Sequence, residues 1–430
     1  MFGAPDNTAA IKTTSYKVVL PFYIYAAISF FIATIFLFTS SEAFSVHYFH
    51  PHILALTHTL ALGWGTMIIL GASHQLVPVL IEGELYSEKL AYLTFILAAI
   101  GIPLLVYGFF VFNMGAPAKW GGRFVLLAIL TYLINMAASI SKSKNENIHA
   151  VFVFTATLWL FFTAFLGLML VYNFTTSLLP NDSLHYLPLH AHAGIIGWFL
   201  LLVIGVASRL IPMFLISKYT NVRLLWFIYL LINAALLSYL IIFYAFSQKE
   251  LSLFPTILIL IAVALFIYYC FQSYKQRLRK QVDEQMKISL LSIFMLLLPI
   301  ILLFIIIALL FLVSGEKLNL ILCYGFLIFF GWLTAIILGM TFKTLPFIIW
   351  NKVYHHRSAL GKTPNPKDLF NHSVFRIMSI AYLLGFILFA CGILISSLIL
   401  LKIGAMSLIT TSVLYNWNVI KIINHKAVIQ

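Results

Sequence analysis

The chain has 430 residues, of which 63% are hydrophobic and only 9% charged, and its formal net charge is +14. This composition excludes a water-soluble domain, because no soluble core of this length needs so large an apolar fraction. The three cysteines are far apart and form no CxxC pair, so nothing in their spacing supports a covalently attached haem, a zinc ribbon or a disulfide framework.

Twelve apolar runs, none alternating like a barrel strand, predict twelve transmembrane helices. In chain order the predicted spans cover residues 18–40, 51–81, 88–112, 121–140, 149–173, 188–216, 222–246, 253–273, 288–313, 318–349, 374–398 and 403–423. The predicted fold is therefore an all-α polytopic membrane protein that contacts the lipid bilayer along its whole length.

The basic residues predict the orientation. Only five of the 26 Lys and Arg residues fall on the side of the membrane opposite the N-terminus, namely Lys119, Arg123, Lys249, Lys317 and Lys402. Cytoplasmic loops carry an excess of Lys and Arg, so we expect a multi-pass protein of the cytoplasmic (inner) membrane with both termini in the cytoplasm. The positive charge then determines the orientation and attracts anionic lipid, and no nucleic-acid partner is predicted.

Three segments that begin with Gly-Trp share one pattern. GWGTMIILGASHQLVP starts at residue 63, GWFLLLVIGVASRLIP at 197 and GWLTAIILGMTFKTLP at 331, an offset of 134 residues both times. The Gly, the Trp, a second Gly and a final Pro are identical. The sequence thus predicts one membrane domain, 1–430, made of three parallel four-helix repeats at approximately 18–140, 149–273 and 288–423 around a pseudo-threefold axis.

Seven of the thirteen histidines lie at the outer ends of predicted spans 2 and 6 or in the loops before them: His47, His50, His52, His58, His185, His190 and His192. An imidazole inside a membrane usually faces a cavity, a metal or another polar group, because it is costly to bury without a partner. His58 and His192 occupy equivalent positions of the first two repeats, where the third has Phe326. We therefore expect these two histidines to reach one haem or metal ion.

The candidate haem ligands are His58, His192, His190 and His52, and the candidate metal ligands are His58, His192, His190 and His50. His190 and His192 are two residues apart, so on a helix their side chains point about 200° away from each other. One should face its own repeat and the other a neighbouring repeat. The alternative is that His190 is only an interfacial residue beside Pro188.

The inner ends of the spans predict other roles. His74 follows His58 by sixteen residues, about 24 Å along a helix, so it cannot join the outer site. Gln75, Arg209 and Lys343 share one repeat column and are predicted to reach toward lipid headgroups, or else to line a path for protons or anions. The connection 350–373, with His355, His356 and His372, is predicted to be a surface loop.

Twelve spans in three parallel units, with histidines at the outer ends of spans 2 and 6, resemble subunit I of the haem-copper oxidase superfamily, which includes cytochrome oxidases and nitric oxide reductases. The resemblance covers roughly residues 18–423. It implies three arcs around a pseudo-threefold axis and a haem near the outer face. His58 matches the family's haem ligand on span 2, and His192 matches a histidine of its copper site.

The likeness has one large departure. The family carries adjacent histidines near span 7 for copper and an HxH pair on span 10 for its two haems, whereas spans 7 to 10 contain no histidine here. The resemblance therefore implies a haem protein without the usual haem-copper binuclear centre. The segments THTLALGWGTMIILGASHQLVP (57–78) and LHAHAGIIGWFLLLVIGVASRLIP (189–212) are also similar to those of the NnrS family, twelve-span haem proteins linked to nitric oxide stress.

These observations predict a membrane-integral redox protein with a noncovalent haem of b type, and with copper as a further candidate cofactor. Its role would be electron transfer or the handling of nitric oxide or oxygen, and it would be an oxidoreductase if it is an enzyme. A cytochrome or another respiratory subunit would be its partner. The alternatives are a histidine-lined copper or zinc transporter and a cofactor-free scaffold subunit of a respiratory complex.

Overall fold

The computed structural model describes residues 14–81, 83–142, 147–246, 248–312, 317–354 and 363–427. Within these ranges twelve helices are long and apolar enough to cross a membrane. No β-strand occurs in the described part of the chain, where one isolated bridge joins Ser217 and Arg277. The prediction of an all-α polytopic membrane protein is confirmed.

The twelve helices follow the predicted spans closely. They are α1 (Tyr16–Thr39), α2 (Pro51–Leu80), α3 (Glu88–Phe110), α4 (Ala116–Ile140), α5 (Ile148–Thr176), α6 (Ser183–Leu215), α7 (Val222–Ala245), α8 (Glu250–Lys275), α9 (Glu284–Leu309), α10 (Leu318–Tyr354), α11 (His372–Leu394) and α12 (Leu398–Ile423).

Four boundaries differ from the prediction by five residues, namely the starts of α4, α6 and α12 and the end of α10. Local chemistry explains two of them. Helix α6 begins at Ser183, five residues before the predicted start, because the Asp182 carboxylate accepts a hydrogen bond from the His185 amide and caps the helix. Helix α10 runs on to Tyr354, past the predicted end at 349. The last turn contains polar side chains, which lower the hydropathy of the sequence there, but the helical backbone hydrogen bonds continue through it.

The three Gly-Trp segments are π-helical. They span Thr59–Thr66 in α2, Ala193–Leu200 in α6 and Leu327–Leu333 in α10. Their first residues are again 134 apart, so the rare backbone geometry recurs at the spacing of the sequence motif. A π-helical turn widens a helix locally and is frequent at functional sites. Each segment begins directly after the residue at the His58 position of its repeat.

Two buried tryptophans link these helices across the centre of the bundle. Trp64 Nε1 donates a hydrogen bond to Thr334 Oγ1 over 3.2 Å, and Trp198 Nε1 donates to Thr66 Oγ1 over 3.0 Å. Thr66 and Thr334 are equivalent positions, with Leu200 between them in the second repeat. Each tryptophan thus reaches the repeat before its own in a cyclic order, which places α2, α6 and α10 around one centre.

The second glycine of each motif lets the first helix of a repeat pack against the second. A Cβ added at Gly71 or Gly205 would lie less than 3.0 Å from the Cβ of Phe22 in α1 or of Phe152 in α5. At Gly339 it would meet Ser289 of α9 equally closely. Only glycine permits this approach, which is how small residues act in membrane interfaces.

Candidate functional site

A cavity of about 1180 Å³ lies toward the His58 end of α2, on the side of the bundle that the sequence predicts to be the outer one, and α2, α6 and α10 contribute to its wall. The wall is largely apolar, with Leu105 and Phe109 of α3 among its residues. Three of the predicted site residues line it: His58, His190 and His192. The cavity therefore brings the His58 end of α2 and the His190 end of α6 to one space.

The imidazole that lies opposite His58 is that of His190. The ring centroids are 6.3 Å apart and the ring planes are nearly parallel, with an angle of 17° between them. Because His58 belongs to the first repeat and His190 to the second, the two rings face each other across a repeat boundary. Phe109 packs against His58 with a centroid distance of 4.6 Å and is part of the apolar cavity wall beside it.

Hydrogen bonds to the backbone fix both rings. His58 Nδ1 lies 2.8 Å from the Leu54 carbonyl oxygen, and His190 Nδ1 lies 3.1 Å from the Thr163 carbonyl oxygen. A carbonyl oxygen can only accept, so each Nδ1 carries the proton, and a neutral imidazole then keeps a free lone pair on Nε2. This is the arrangement that orients histidines bound to metals, since the second nitrogen sets the tautomer of the first.

Gly167 of α5 makes the space that His190 occupies. A Cβ at this position would lie 2.7 Å from His190 Cε1 and 3.3 Å from Nδ1. Any larger residue would therefore push the imidazole away from α5 and from the Thr163 carbonyl. No sequence pattern indicated this role, because an isolated glycine in a transmembrane helix is common.

His192 lies on the other side of α6. Its Nδ1 is 2.7 Å from the Pro188 carbonyl oxygen, so its Nε2 is also free of the tautomeric proton. Its ring packs against Tyr239 of α7 at 5.5 Å and against Tyr324 of α10 at 6.0 Å. His190 and His192 thus point to different sides of the helix, and both reach across to a neighbouring repeat.

Of the other histidines in this group, His47, His50 and His52 lie in or near the connection before α2, whereas His185 lies in the first turn of α6. His52 stacks on Phe110 at 4.4 Å with an interplanar angle of 3°, and its Nδ1 shares a hydrogen bond with Ser40 Oγ over 3.1 Å. His50 caps α2 by accepting from the His52 amide. Burial and the neighbouring His52 lower the pKa of His50, which keeps it neutral and able to accept. These contacts place both side chains in the helix-capping structure.

Metal ligands do not form larger groups here. Among the described residues, no three His, Cys, Asp or Glu side chains lie close enough together to hold a metal ion. The pair of His58 and His190 therefore offers two ligands and no more. Cys270 and Cys323 are free and buried, at separate places in the fold.

The inner ends of the spans are chemically separate from the cavity. His74 is fully buried between the rings of Phe22 and Tyr132. In the predicted polar column, Lys343 forms an ion pair with Asp283, and Arg209 is exposed. His355 and His356, predicted to lie in a surface loop, fall outside the described residues.

No family model and no curated protein matches this chain. The likeness to the oxidase subunit and to the NnrS family therefore rests on the motifs alone and stays a prediction. Two further residues of the cavity wall, Tyr239 and Tyr324, were not singled out from the sequence. The repeat offset of 134 residues was the available signal for Tyr324, because it places this residue at the position of His190.

Proposed function

We propose that this protein is a membrane haem protein in which His58 and His190 are the two axial ligands of a noncovalently bound haem. The observation that carries the proposal is the pair of nearly parallel imidazoles with centroids 6.3 Å apart. It modifies the expectation from the sequence in one respect, since the partner of His58 is His190, its neighbour across the repeat boundary.

The spacing fits a metal between the rings. A bond from a metal to an imidazole nitrogen is roughly 2 Å long and the ring centre lies about 1 Å behind the nitrogen, so two rings on one metal have centroids about 6 Å apart. Two separate rings in van der Waals contact would stack more closely. The Nδ1 hydrogen bonds support the same reading, because they leave both Nε2 lone pairs available for the metal.

The surroundings suit a macrocycle better than a bare ion. Apolar walls such as Leu105 and Phe109 would retain a porphyrin by burial, and the axial imidazoles would set the iron potential. A copper or zinc transport site would need three or four ligands in close reach, and no such group occurs in the described part of the chain. The haem proposal is therefore favoured over the transporter.

Two histidine ligands fill both axial positions of the iron, which supports electron transfer at this site over the binding of a gas. We propose that the protein is a redox component of the cytoplasmic membrane, distantly related to oxidase subunit I or to the NnrS family, with a cytochrome or another respiratory subunit as its partner. Because spans 7 to 10 carry no histidine, the proposal includes no haem-copper binuclear centre.

The test is the spectrum of protein purified from haem-replete cells. We expect a Soret band and, in the oxidised protein, the electron paramagnetic resonance signal of low-spin iron with two imidazoles. His58→Ala and His190→Ala should each remove that low-spin signal and about one haem per chain. His47→Ala, which changes a histidine outside the cavity wall, should keep the signal and the haem. A colourless wild-type protein, or a low-spin signal that survives in both variants, would contradict the proposal.

A further inference from the structure

The polar residues at the inner ends of α6 and α10 are related by the repeat, but they do not have the same partners. Lys343 of α10 forms an ion pair with Asp283, which precedes α9. The offset of 134 residues relates Lys343 to Arg209 and Asp283 to His149. The second repeat thus keeps the cation and has an imidazole in place of the carboxylate, and Arg209 forms no ion pair with any described residue.

No residue of the second repeat takes the place of this carboxylate. His149 Nδ1 lies 3.0 Å from the Gly205 carbonyl oxygen, which can only accept, so Nδ1 carries a proton and the ring has no negative charge. Residues 205–246 and 251–282 contain neither Asp nor Glu. They include the connection from α6 to α7 and most of that from α8 to α9. The inner end of this repeat therefore has positive charges without acidic residues among them.

A backbone contact holds these two connections together. Ser217, after α6, and Arg277, after α8, form an isolated antiparallel bridge, and the Leu278 amide donates to the Ile216 carbonyl oxygen over 3.1 Å. Ile216 has a φ of 51°, which is unfavourable for a β-branched residue, so the surrounding contacts must hold this conformation. The two connections and the helix ends beside them carry six cations, which we call the basic surface: Lys218, Arg223, Lys275, Arg277, Arg279 and Lys280.

The protein neutralises little of this charge. Arg279 forms an ion pair with Asp283 over 2.9 Å, whereas the other five cations form none with a described residue. The guanidinium of Arg277 lies over the Tyr274 ring, 3.8 Å from its centroid, and donates to the Tyr274 carbonyl oxygen over 2.8 Å. Its Nε is buried without an acceptor in the described part of the chain. These contacts fix the group and leave its charge without an anion.

The basic surface borders apolar side chains at the ends of α6 and α8. Met213, Ile216, Phe271 and Leu278 are each more than half exposed. Cations beside exposed apolar side chains, at the ends of two membrane-crossing helices, match the level at which lipid headgroups meet acyl chains. A soluble anion would use the cations and leave the apolar side chains uncovered, whereas a phospholipid would cover both.

We propose that Lys218 and Arg277 bind the phosphate of an anionic phospholipid, whose acyl chains cover the exposed apolar side chains of α6 and α8. Arg209 adds a positive charge close to α8, since Tyr269 of that helix is hydrogen-bonded to the carbonyl of the preceding residue. The lipid supplies the second repeat with the negative charge that Asp283 supplies to the third. This site lies apart from the cavity and does not depend on the proposed function.

The test is native mass spectrometry of the purified full-length protein in detergent, with phosphatidylglycerol as the probe. Phosphatidylcholine with the same acyl chains is the control without net charge. We expect phosphatidylglycerol to bind several-fold more tightly and to raise the temperature of thermal unfolding. The double variant Lys218→Gln/Arg277→Gln should lose most of this difference. Lys421→Gln, an exposed cation at the predicted inner end of α12, should behave as the wild type.

Two further measurements keep the test decisive. Lys218 is exposed, so Lys218→Gln should fold even where the double variant does not, and it should weaken phosphatidylglycerol binding by itself. Glycerol 3-phosphate has the charged group without the acyl chains and should not stabilise the protein. Equal binding of the two lipids, unchanged binding in Lys218→Gln and the double variant, or an equal loss in Lys421→Gln would overturn the proposal. Equal stabilisation by glycerol 3-phosphate would overturn the lipid as the source of the anion.

Discussion

The hydrogen bond from Nδ1 to a backbone carbonyl is shared by His58, His190 and His192, and it determines what these residues can do. Because the carbonyl accepts, the proton stays on Nδ1 and the Nε2 lone pair is left free. Two of the three bonds lie within one helix, to the residue four positions earlier. The orientation of His58 and His192 is therefore set within α2 and α6, whereas that of His190 depends on the Thr163 carbonyl of α5.

Gly167→Ala tests the orientation of His190 without removing any ligand. The added methyl would lie 2.7 Å from His190 Cε1, so the ring must move and its bond to the Thr163 carbonyl must weaken. On the proposed function we expect a lower haem occupancy or a changed low-spin signal, with thermal unfolding of the protein in detergent shifted by only a few degrees.

Gly83→Ala is the matched control, because a Cβ there makes only ordinary contacts with Ile81. It should leave the spectrum unchanged. An unchanged spectrum in Gly167→Ala as well would show that the close contact with His190 does not position this ring.

The sequence identified the histidines but not their pairing, for a reason of symmetry. Equivalent residues such as His58 and His192 lie at one depth, which suggested a shared guest. In a cyclic arrangement, however, each unit presents one face to the unit before it and a different face to the unit after it. A boundary therefore joins non-equivalent positions, and His58 lies opposite His190. The spacing of the repeats does not predict how each helix is rotated about its own axis, and this rotation decides which histidines face each other.

At the scale of single elements, the π-helical segments and their tryptophans connect α2, α6 and α10. The span limits were predictable to within about five residues, since twenty apolar residues cross a bilayer whatever their order. The π-helical backbone was not predictable, because the Gly-Trp motif is equally compatible with a regular α-helix. Its widening depends on the contacts between repeats.

Thr66→Val and Thr334→Val test the links to the two tryptophans. Each substitution leaves a buried indole N–H without its acceptor, so we expect a loss of about 1 kcal/mol in the free energy of unfolding. Thr334→Val should cost more, because Thr334 also donates to the Phe329 carbonyl in the π-helical turn. Thermal unfolding in detergent measures both effects.

Two further variants are controls for this measurement. Thr410→Val changes an exposed threonine whose hydroxyl bonds within its own helix, and it should be close to neutral. Leu200→Thr places an acceptor at the third equivalent position but removes buried apolar volume, so it should destabilise the protein less than Leu200→Ala does. A loss in Thr410→Val equal to that in Thr66→Val would mean that the link to Trp198 contributes nothing.

At the scale of the whole molecule, the charge distribution predicts the orientation in the membrane. The connections before α2 and between α8 and α9 test it, since Val46 is 57% exposed and Leu278 is 65% exposed. In intact cells whose cytoplasmic membrane the reagent can reach, Val46→Cys should react with a membrane-impermeant thiol reagent. Leu278→Cys should react only after the cytoplasmic membrane is permeabilised. The reverse pattern would show that the termini lie outside.

Helix α6 carries His190 on one side and His192 on the other, only two residues apart. A turn of this helix about its own axis would draw one imidazole toward its partner and swing the other away. The two imidazoles cannot be moved independently. A substitution at Gly167 should therefore also shift His192 relative to Tyr324, and a substitution at Tyr324 should also shift His190 relative to Gly167. The central helix thus joins the two halves of the cavity mechanically, even where no side chain passes between them.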